Sequence, residues 1–148
     1  MQITRDFDAP AQLVFDCHTK PELMRKWMMG PPGWSLAVCE VDLTIGGAFC
    51  CIYRSDADQQ EFGVRGEFRE IDAPVRVSHT ERMDGIPGES LETLNLRESG
   101  AITTLTTTML YSSREVRDEA LQSGMADGMS ECFERLEQLM SETEKVAS

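Results

Sequence analysis

The sequence lacks the features that mark a membrane or secreted protein. No apolar run approaches the ~20 residues that a transmembrane helix needs. The opening residues, MQITRDFDAP, have neither the basic start nor the apolar core of a secretory signal. We therefore expect a cytoplasmic protein without membrane insertion.

Basic residues are scarce. The chain has 14 Lys and Arg against 26 Asp and Glu, which gives a formal net charge of −12. Such a surface repels phosphate backbones and anionic lipids. The composition therefore argues against a nucleic-acid partner.

The cysteines form no CxxC pair, and their number is odd. An odd number would leave one thiol unpaired in a disulfide framework, so we expect reduced, mostly buried thiols. His18 beside Cys17, and Cys50 beside Cys51, do not have the spacing of zinc ligands. We predict no metal site.

Catalytic and cofactor-binding motifs are also missing. The sequence has no nucleophile elbow, P-loop or dinucleotide fingerprint, and GGAFCC lacks the strand, turn and helix that a phosphate loop requires. No cofactor is expected, and motifs alone leave open whether the protein is an enzyme.

The length of 148 residues fits a single domain, 1–148. Alternation predicts a first strand near 2–7, followed by two short helices, the second opened by a capping box from Thr19 to Glu22. Six further strands joined by short turns are predicted at 35–43, 47–54, 62–71, 75–82, 91–97 and 102–111. This run indicates an antiparallel meander with one face that needs a cover.

A long amphipathic C-terminal helix would supply that cover. Ser112 and Glu115 have capping-box spacing, and Tyr111 and Val116 could form a hydrophobic staple, so the helix should begin at Ser112 or Ser113 and exceed 25 residues. One face of it is apolar or small, with Leu121, Met125, Gly128, Met129, Cys132, Phe133, Leu136, Leu139 and Met140.

Several ordered motifs carry a family resemblance that covers nearly the whole chain. They are R-x-F-D-A-P at 5–10, P-E-L-x-x-x-W at 21–27, D-L-x-x-G-G at 42–47, G-E-F-x-E-I at 66–71, T-E at 80–81, Y-S-S-x-E-x-R-D at 111–118 and G-M-x-x-G-M at 124–129. The chain resembles the START-like (SRPBCC) helix-grip superfamily. Within it, the chain is similar to bacterial homologues of the activator of heat-shock protein ninety ATPase.

The resemblance implies an α+β helix-grip fold of the Bet v 1/START-like type. A curved antiparallel sheet of six to seven strands would wrap around the long C-terminal helix, with two short helices after the first strand. It also implies a cavity for a small apolar or amphipathic molecule, which the protein would carry, sense or sequester. The alternatives are a cyclase- or hydratase-type enzyme using the same cavity, and a co-chaperone of a heat-shock protein ninety partner. Either a monomer or a homodimer is compatible.

Candidate pocket residues follow from this implied cavity. Gly124 and Gly128 would leave volume along the helix, with Met125 and Met129 as adaptable walls; equally, these residues could serve packing alone. The remaining candidates are bulky or polarisable side chains from other elements: Trp27, Met28, Trp34, Phe49, Cys51, Tyr53 and Phe133. Core anchoring is an equal alternative for the tryptophans, and the inward face of the strand with Phe49 depends on register.

His79 and Glu81 alternate onto one side of a predicted strand. If that side lines the cavity, imidazole and carboxylate form a candidate acid/base pair, because burial and mutual charge shift such groups toward neutral pKa values. A solvated or cross-strand polar pair is the competing interpretation. His79 and Glu81 are the candidate catalytic residues.

Overall fold

The computed structural model describes residues 2–28, 33–84, 88–122 and 125–147, and within the last two helices it describes side chains at 114–119, 122 and 131–142. In chain order the elements are β1 (Gln2–Phe7), α1 (Ala11–Thr19), α2 (Pro21–Met24), β2 (Trp34–Val41), β3 (Ala48–Ser55), β4 (Glu61–Asp72), β5 (Arg76–Met83), β6 (Ser90–Ser99), β7 (Ile102–Leu110), α3 (Arg114–Gln122) and α4 (Met125–Ala147). The predicted α+β order is confirmed.

The described strands form one seven-stranded antiparallel sheet in the order β1-β7-β6-β5-β4-β3-β2. Strands β2 to β7 follow one another as the predicted meander, and β1 pairs with β7. Register shifts interrupt β2 between Leu36 and Val38 and β4 between Phe68 and Glu70. Extra residues of this kind bend a strand and increase its twist, which suits a curled sheet.

Side chains tie the short helices to the sheet. The Glu98 carboxylate of β6 accepts a hydrogen bond of 2.7 Å from the Ala11 N–H at the start of α1. The Thr103 hydroxyl of β7 donates one of 2.7 Å to the Ala9 carbonyl. The Trp27 indole N–H donates one of 2.8 Å to the Cys17 carbonyl. The helices are therefore held over one end of the sheet.

One predicted helix start is wrong, and the other is resolved to one of its two predicted positions. Thr19 does not cap α2: it is the last residue of α1, where its hydroxyl donates to the Phe15 carbonyl, and α2 has no side-chain cap. Ser113, not Ser112, caps α3, because its Oγ accepts the Val116 N–H at 3.2 Å. The predicted single C-terminal helix is described as two segments, α3 and α4, and Gly124 lies outside the described residues.

Helix α4 packs its apolar face inward. Phe133, Leu136 and Met140 are buried, and the Phe133 ring contacts Phe7 of β1 edge to face with centroids 5.9 Å apart. The same ring stacks on Trp27 with centroids 6.4 Å apart. Phe133 therefore joins α4 to β1 and to the turn after α2. Within the described residues, no helix is both long enough and apolar enough to span a bilayer.

Candidate ligand-binding cavity

A cavity of about 340 Å³ lies between the inner face of the sheet and helices α1, α2 and α4. Its wall includes residues from every strand from β2 to β7, so the cavity forms only when the whole sheet is assembled. Six aromatic rings line it: Trp27, Phe49, Tyr53, Phe62, Phe68 and Phe133. The other described residues of the lining are His18, Met24, Met28, Val41, Cys51, Val64, His79, Glu81, Met83, Glu92, Leu94, Thr107 and Cys132.

Strand alternation and register bring these side chains together. Alternate residues of a strand point to one face, so Phe49, Cys51 and Tyr53 of β3 enter the cavity together. Phe62 pairs with Tyr53, and Val64 with Cys51, across the β3–β4 ladder. The antiparallel register thus continues the inward row from one strand to the next.

Aromatic contacts stiffen the wall. Tyr53 and Phe62 stack with centroids 4.9 Å apart and planes 13° apart. Phe49 and Phe68 are 5.9 Å apart in a tilted arrangement. Ring pairs of this kind contribute about 0.5–1.5 kcal/mol beyond their buried area, so the packing between rings holds the wall in shape.

The structure brings together most of the residues proposed from sequence. Eight of them line the cavity: Trp27, Met28, Phe49, Cys51, Tyr53, His79, Glu81 and Phe133. Trp34 is not among the described lining residues; its ring packs edge-on against Phe62, with centroids 5.7 Å apart. Met125, Gly128 and Met129 lie in α4, at positions whose side chains are outside the described part of the chain. The role of all these residues in ligand binding stays a prediction.

Two carboxyl groups face the cavity beside His79. Glu92 of β6 lies directly opposite His79 in the β5–β6 register, and Glu81 lies on the same face of β5, diagonally from Glu92. The Glu81 and Glu92 side chains hydrogen-bond to each other. Two carboxyl groups can share such a bond only when one of them carries a proton.

The cavity wall favours the protonated state of this pair. Burial raises the pKa of Glu81 to about 8, and the neighbouring charge of Glu92 and the hydrogen bond with it act in the same direction. Burial also raises the pKa of Glu92. Charge and desolvation therefore keep at least one proton on the pair at neutral pH.

His79 is neutral and held by its neighbours. Its Nδ1 donates a hydrogen bond of 3.2 Å to the Thr80 carbonyl, which leaves the lone pair on Nε2. Its ring meets Phe49 edge to face at 4.9 Å. Burial lowers the pKa of His79, while the charge of Glu81 raises it. The imidazole is thus a polar but uncharged part of the wall.

His18 is a second imidazole at the cavity. Its Nδ1 donates to the Val14 carbonyl one turn earlier at 2.7 Å, and its ring packs edge-on against Trp27 at 4.8 Å. Burial lowers its pKa to about 4, and His79 acts in the same direction. His18 is therefore neutral at physiological pH.

Sequence reasoning missed His18 and Glu92, although each carries a signal. His18 follows the buried Val14 by four residues, so both lie on one face of α1. Glu92 alternates with Leu94 and Leu96, which places a carboxylate on the apolar side of a strand. A charged residue at such a position points to a polar site within the core.

The described part of the chain has no group of three or more His, Cys, Asp or Glu side chains that could hold a metal ion. The described cysteines form no disulfide, and Cys17, Cys39 and Cys51 are buried. Cys39 and Cys51 are opposite each other on β2 and β3 and share a hydrogen bond. Burial raises the pKa of Cys17 to about 11, so this thiol stays protonated.

Comparison with solved structures supports the fold. A crystal structure from Rhodobacter sphaeroides is 26% identical with a TM-score of 0.88, covering 95% of this chain and 91% of that one. One from Nitrosomonas europaea is 26% identical with a TM-score of 0.84, covering 97% and 94%. A solution structure from Staphylococcus epidermidis is 27% identical with a TM-score of 0.82, covering 97% and 90%. These likenesses agree with the helix-grip architecture.

None of the curated proteins matches the chain significantly. The family model described as "Activator of Hsp90 ATPase homolog 1-like protein" matches residues 8–141, which begin just after β1 and span α1 through most of α4. The chain therefore belongs to the family of proteins like the activator of Hsp90 ATPase homolog 1, within the helix-grip superfamily expected from its motifs.

Proposed function

We propose that this protein binds a small apolar or amphipathic molecule in the cavity between its sheet and α4, in a carrier, sensor or sequestration role. The observation that carries the proposal is the cavity of about 340 Å³ lined by six aromatic rings. Ligand sites in proteins are usually concave, predominantly apolar, and about 300–1,000 Å³ in volume. The carboxyl pair would orient the guest, and the rings would supply most of the affinity.

Native mass spectrometry of the purified protein tests for a retained ligand. A bound compound would add a discrete mass, which solvent extraction could release for identification. Incubation of that compound with the protein, followed by NMR, separates binding from catalysis. Turnover of the compound would favour an enzymatic function over a carrier, sensor or sequestration role.

Filling the cavity provides a more general test. Val64 is 6% exposed and lines the cavity, whereas Val75 is 44% exposed in the turn before β5. We expect Val64→Phe to weaken binding of the uncharged fluorescent probe N-phenylnaphthylamine by about tenfold or more, because the added ring occupies guest volume; a tenfold change is about 1.4 kcal/mol. Fluorescence titration measures it.

Val75→Phe is the matched control, because it makes the same chemical change on the surface. It should bind the probe as the parent protein does. Circular dichroism and thermal unfolding of both variants would establish that they are folded. Equal probe affinity in a folded Val64→Phe protein, or no probe binding by the parent, would contradict the proposed binding function.

An enzyme of the cyclase or hydratase kind is the second candidate. Glu81 supports it, because a carboxyl group with a pKa of about 8 is protonated at neutral pH and can act as a general acid. The neutral His79 beside it could accept a proton.

The co-chaperone alternative rests on the family description alone. We retain a cytoplasmic location, no nucleic-acid partner and a monomeric or homodimeric state as expectations.

A further inference from the structure

We infer that the ligand of this cavity carries a protonated amine, held between the Glu81–Glu92 pair and the surrounding aromatic rings; this inference rests on the proposed binding function. It names a chemical class, an apolar body that ends in an organic cation. The argument depends on which charges line the wall and on which rings surround them.

Among the described residues that line the cavity, the acidic side chains are Glu81 and Glu92, and there is no lysine or arginine. Arg5 is not among the described lining residues; its guanidinium lies over the Phe133 ring, 5.4 Å from the centroid. That guanidinium already pairs with Glu137 of α4, at 2.9 Å. The described polar wall is therefore suited to a positive guest and unsuited to a carboxylate.

Aromatic rings lie close to the carboxyl pair. Phe49 and Phe68 contact His79, with centroids 4.9 and 6.0 Å away, and His79 is directly opposite Glu92. Tyr53 is within electrostatic range of Glu81. A cation is attracted to the face of an aromatic ring, and more strongly when it is removed from water. Carboxylates and nearby aromatic rings would together provide two attractions that a neutral guest would not receive.

The net charge of the whole molecule also favours a cationic ligand. A net charge of −12 produces a field that draws cations toward the protein and repels anions. At the site itself, an entering ammonium would replace the proton shared by the two carboxyl groups. Binding should then release a proton, because the amine compensates the second negative charge.

This exchange predicts the direction of the pH dependence. The groups facing Glu81 are Glu92 of β6, His79 of β5, Tyr53 and Cys51 of β3 and Tyr111 after β7; His18 of α1 acts through His79. Burial keeps both imidazoles neutral and raises the pKa of both tyrosines. The hydrogen bond with Cys39, and then burial, raise the pKa of Cys51. Among the described groups around the cavity, the carboxyl pair is therefore the one that titrates near neutral pH. Amine affinity should rise by up to about tenfold per pH unit toward the pKa of Glu81, near 8.

The test uses three ligands with one apolar body: phenylbutylamine, phenylbutanol and phenylbutyrate. Isothermal titration calorimetry would measure their affinities for the full chain, in two buffers of different ionisation enthalpy to count released protons. We expect the amine to bind at least tenfold more tightly than the alcohol, and the carboxylate to bind most weakly. Glu81→Gln and Glu92→Gln should each reduce amine affinity about tenfold while leaving alcohol affinity nearly unchanged.

Glu67→Gln is the control, since Glu67 is exposed on β4 and pairs only loosely with Arg69, at 3.8 Å. It removes the same charge away from the cavity and should leave amine affinity unchanged. Alcohol binding as tight as amine binding, or full amine affinity in both cavity variants, would overturn the cation inference. It would also be overturned if N-phenylnaphthylamine bound but the amine did not. If neither the probe nor any of the three ligands bound, the result would instead contradict the proposed binding function.

Discussion

Gly66 lies on β4 at a point where β5 approaches too closely for a side chain. A Cβ at this position would overlap the Thr80 carbonyl oxygen and lie 2.7 Å from the Phe49 ring. Backbone cannot move aside as the end of a flexible side chain can. The glycine is therefore required by packing, on a strand whose other inward residues line the cavity.

Gly66→Ala should destabilise the protein by about 3 kcal/mol, at the upper end of overpacking changes. Gly63→Ala on the same strand is the control. Its Cβ would meet the Arg65 guanidinium, at 3.0 Å, which is the flexible end of a side chain and can move away. Urea unfolding of both variants measures the difference. Similar losses would mean that strand propensity, and not the contact with Thr80, explains the glycine.

Among the secondary-structure elements, helix α4 packs against the sheet and the short helices through a short row of inward-facing apolar side chains. Leu136 is fully buried, and Phe133 on the preceding turn contacts both Phe7 and Trp27. The outward side of the same helix carries the exposed Glu134, and Glu137 binds Arg5 of β1. Apolar burial at the inward row therefore contributes most of the stabilisation from α4.

Leu136→Ala should lower the free energy of unfolding by about 3 kcal/mol, through lost burial and the cavity that remains. Glu134→Ala, on an exposed position of the same helix, should change it by no more than about 0.5 kcal/mol. Chemical denaturation with both variants checks this. A loss below about 1 kcal/mol for Leu136→Ala, a third of the expected cost, would show that α4 is not packed as described.

At the scale of the whole molecule, the buried carboxyl group links stability to pH. The folded protein keeps the Glu81 proton up to about pH 8, whereas the unfolded chain loses it near the ordinary value of 4.5. Between these values the folded state binds more protons, so this group lowers stability as pH rises. His18 acts oppositely below pH 6.5, because the unfolded chain is protonated there and the folded ring, with a pKa of about 4, is not.

Glu81→Gln should remove the first of these effects. We expect the stability of the variant relative to the parent to increase with pH between about 5 and 8, by up to ~1.4 kcal/mol per pH unit for one proton. Urea unfolding of both proteins across this range measures the difference, in which contributions from other groups largely cancel. Parallel stability curves would contradict a proton held by Glu81 in the folded state.

Local patterns in the sequence were enough to predict most of the helices and strands and their order. The predicted strands at 35–43, 62–71 and 102–111 match Trp34–Val41, Glu61–Asp72 and Ile102–Leu110 closely. Alternation and turn residues are local signals, and they act within a few residues of the chain. The same locality explains why the sequence pattern leaves the start of α3 between two residues: neighbouring serines offer equivalent caps, and only the surrounding fold selects Ser113.

Which side chains face the cavity depends on the pairing of the strands and could not be read from local patterns. A slip of one residue in register would turn Phe49, Cys51 and Tyr53 away from it, and the observed pairing with β4 fixes their direction. Strand pairing also brings Glu92 of β6 within hydrogen-bonding distance of Glu81 of β5, which no local pattern indicated. Contacts across strands depend on pairing between distant parts of the chain, so the composition of the polar site emerged only when the sheet was assembled.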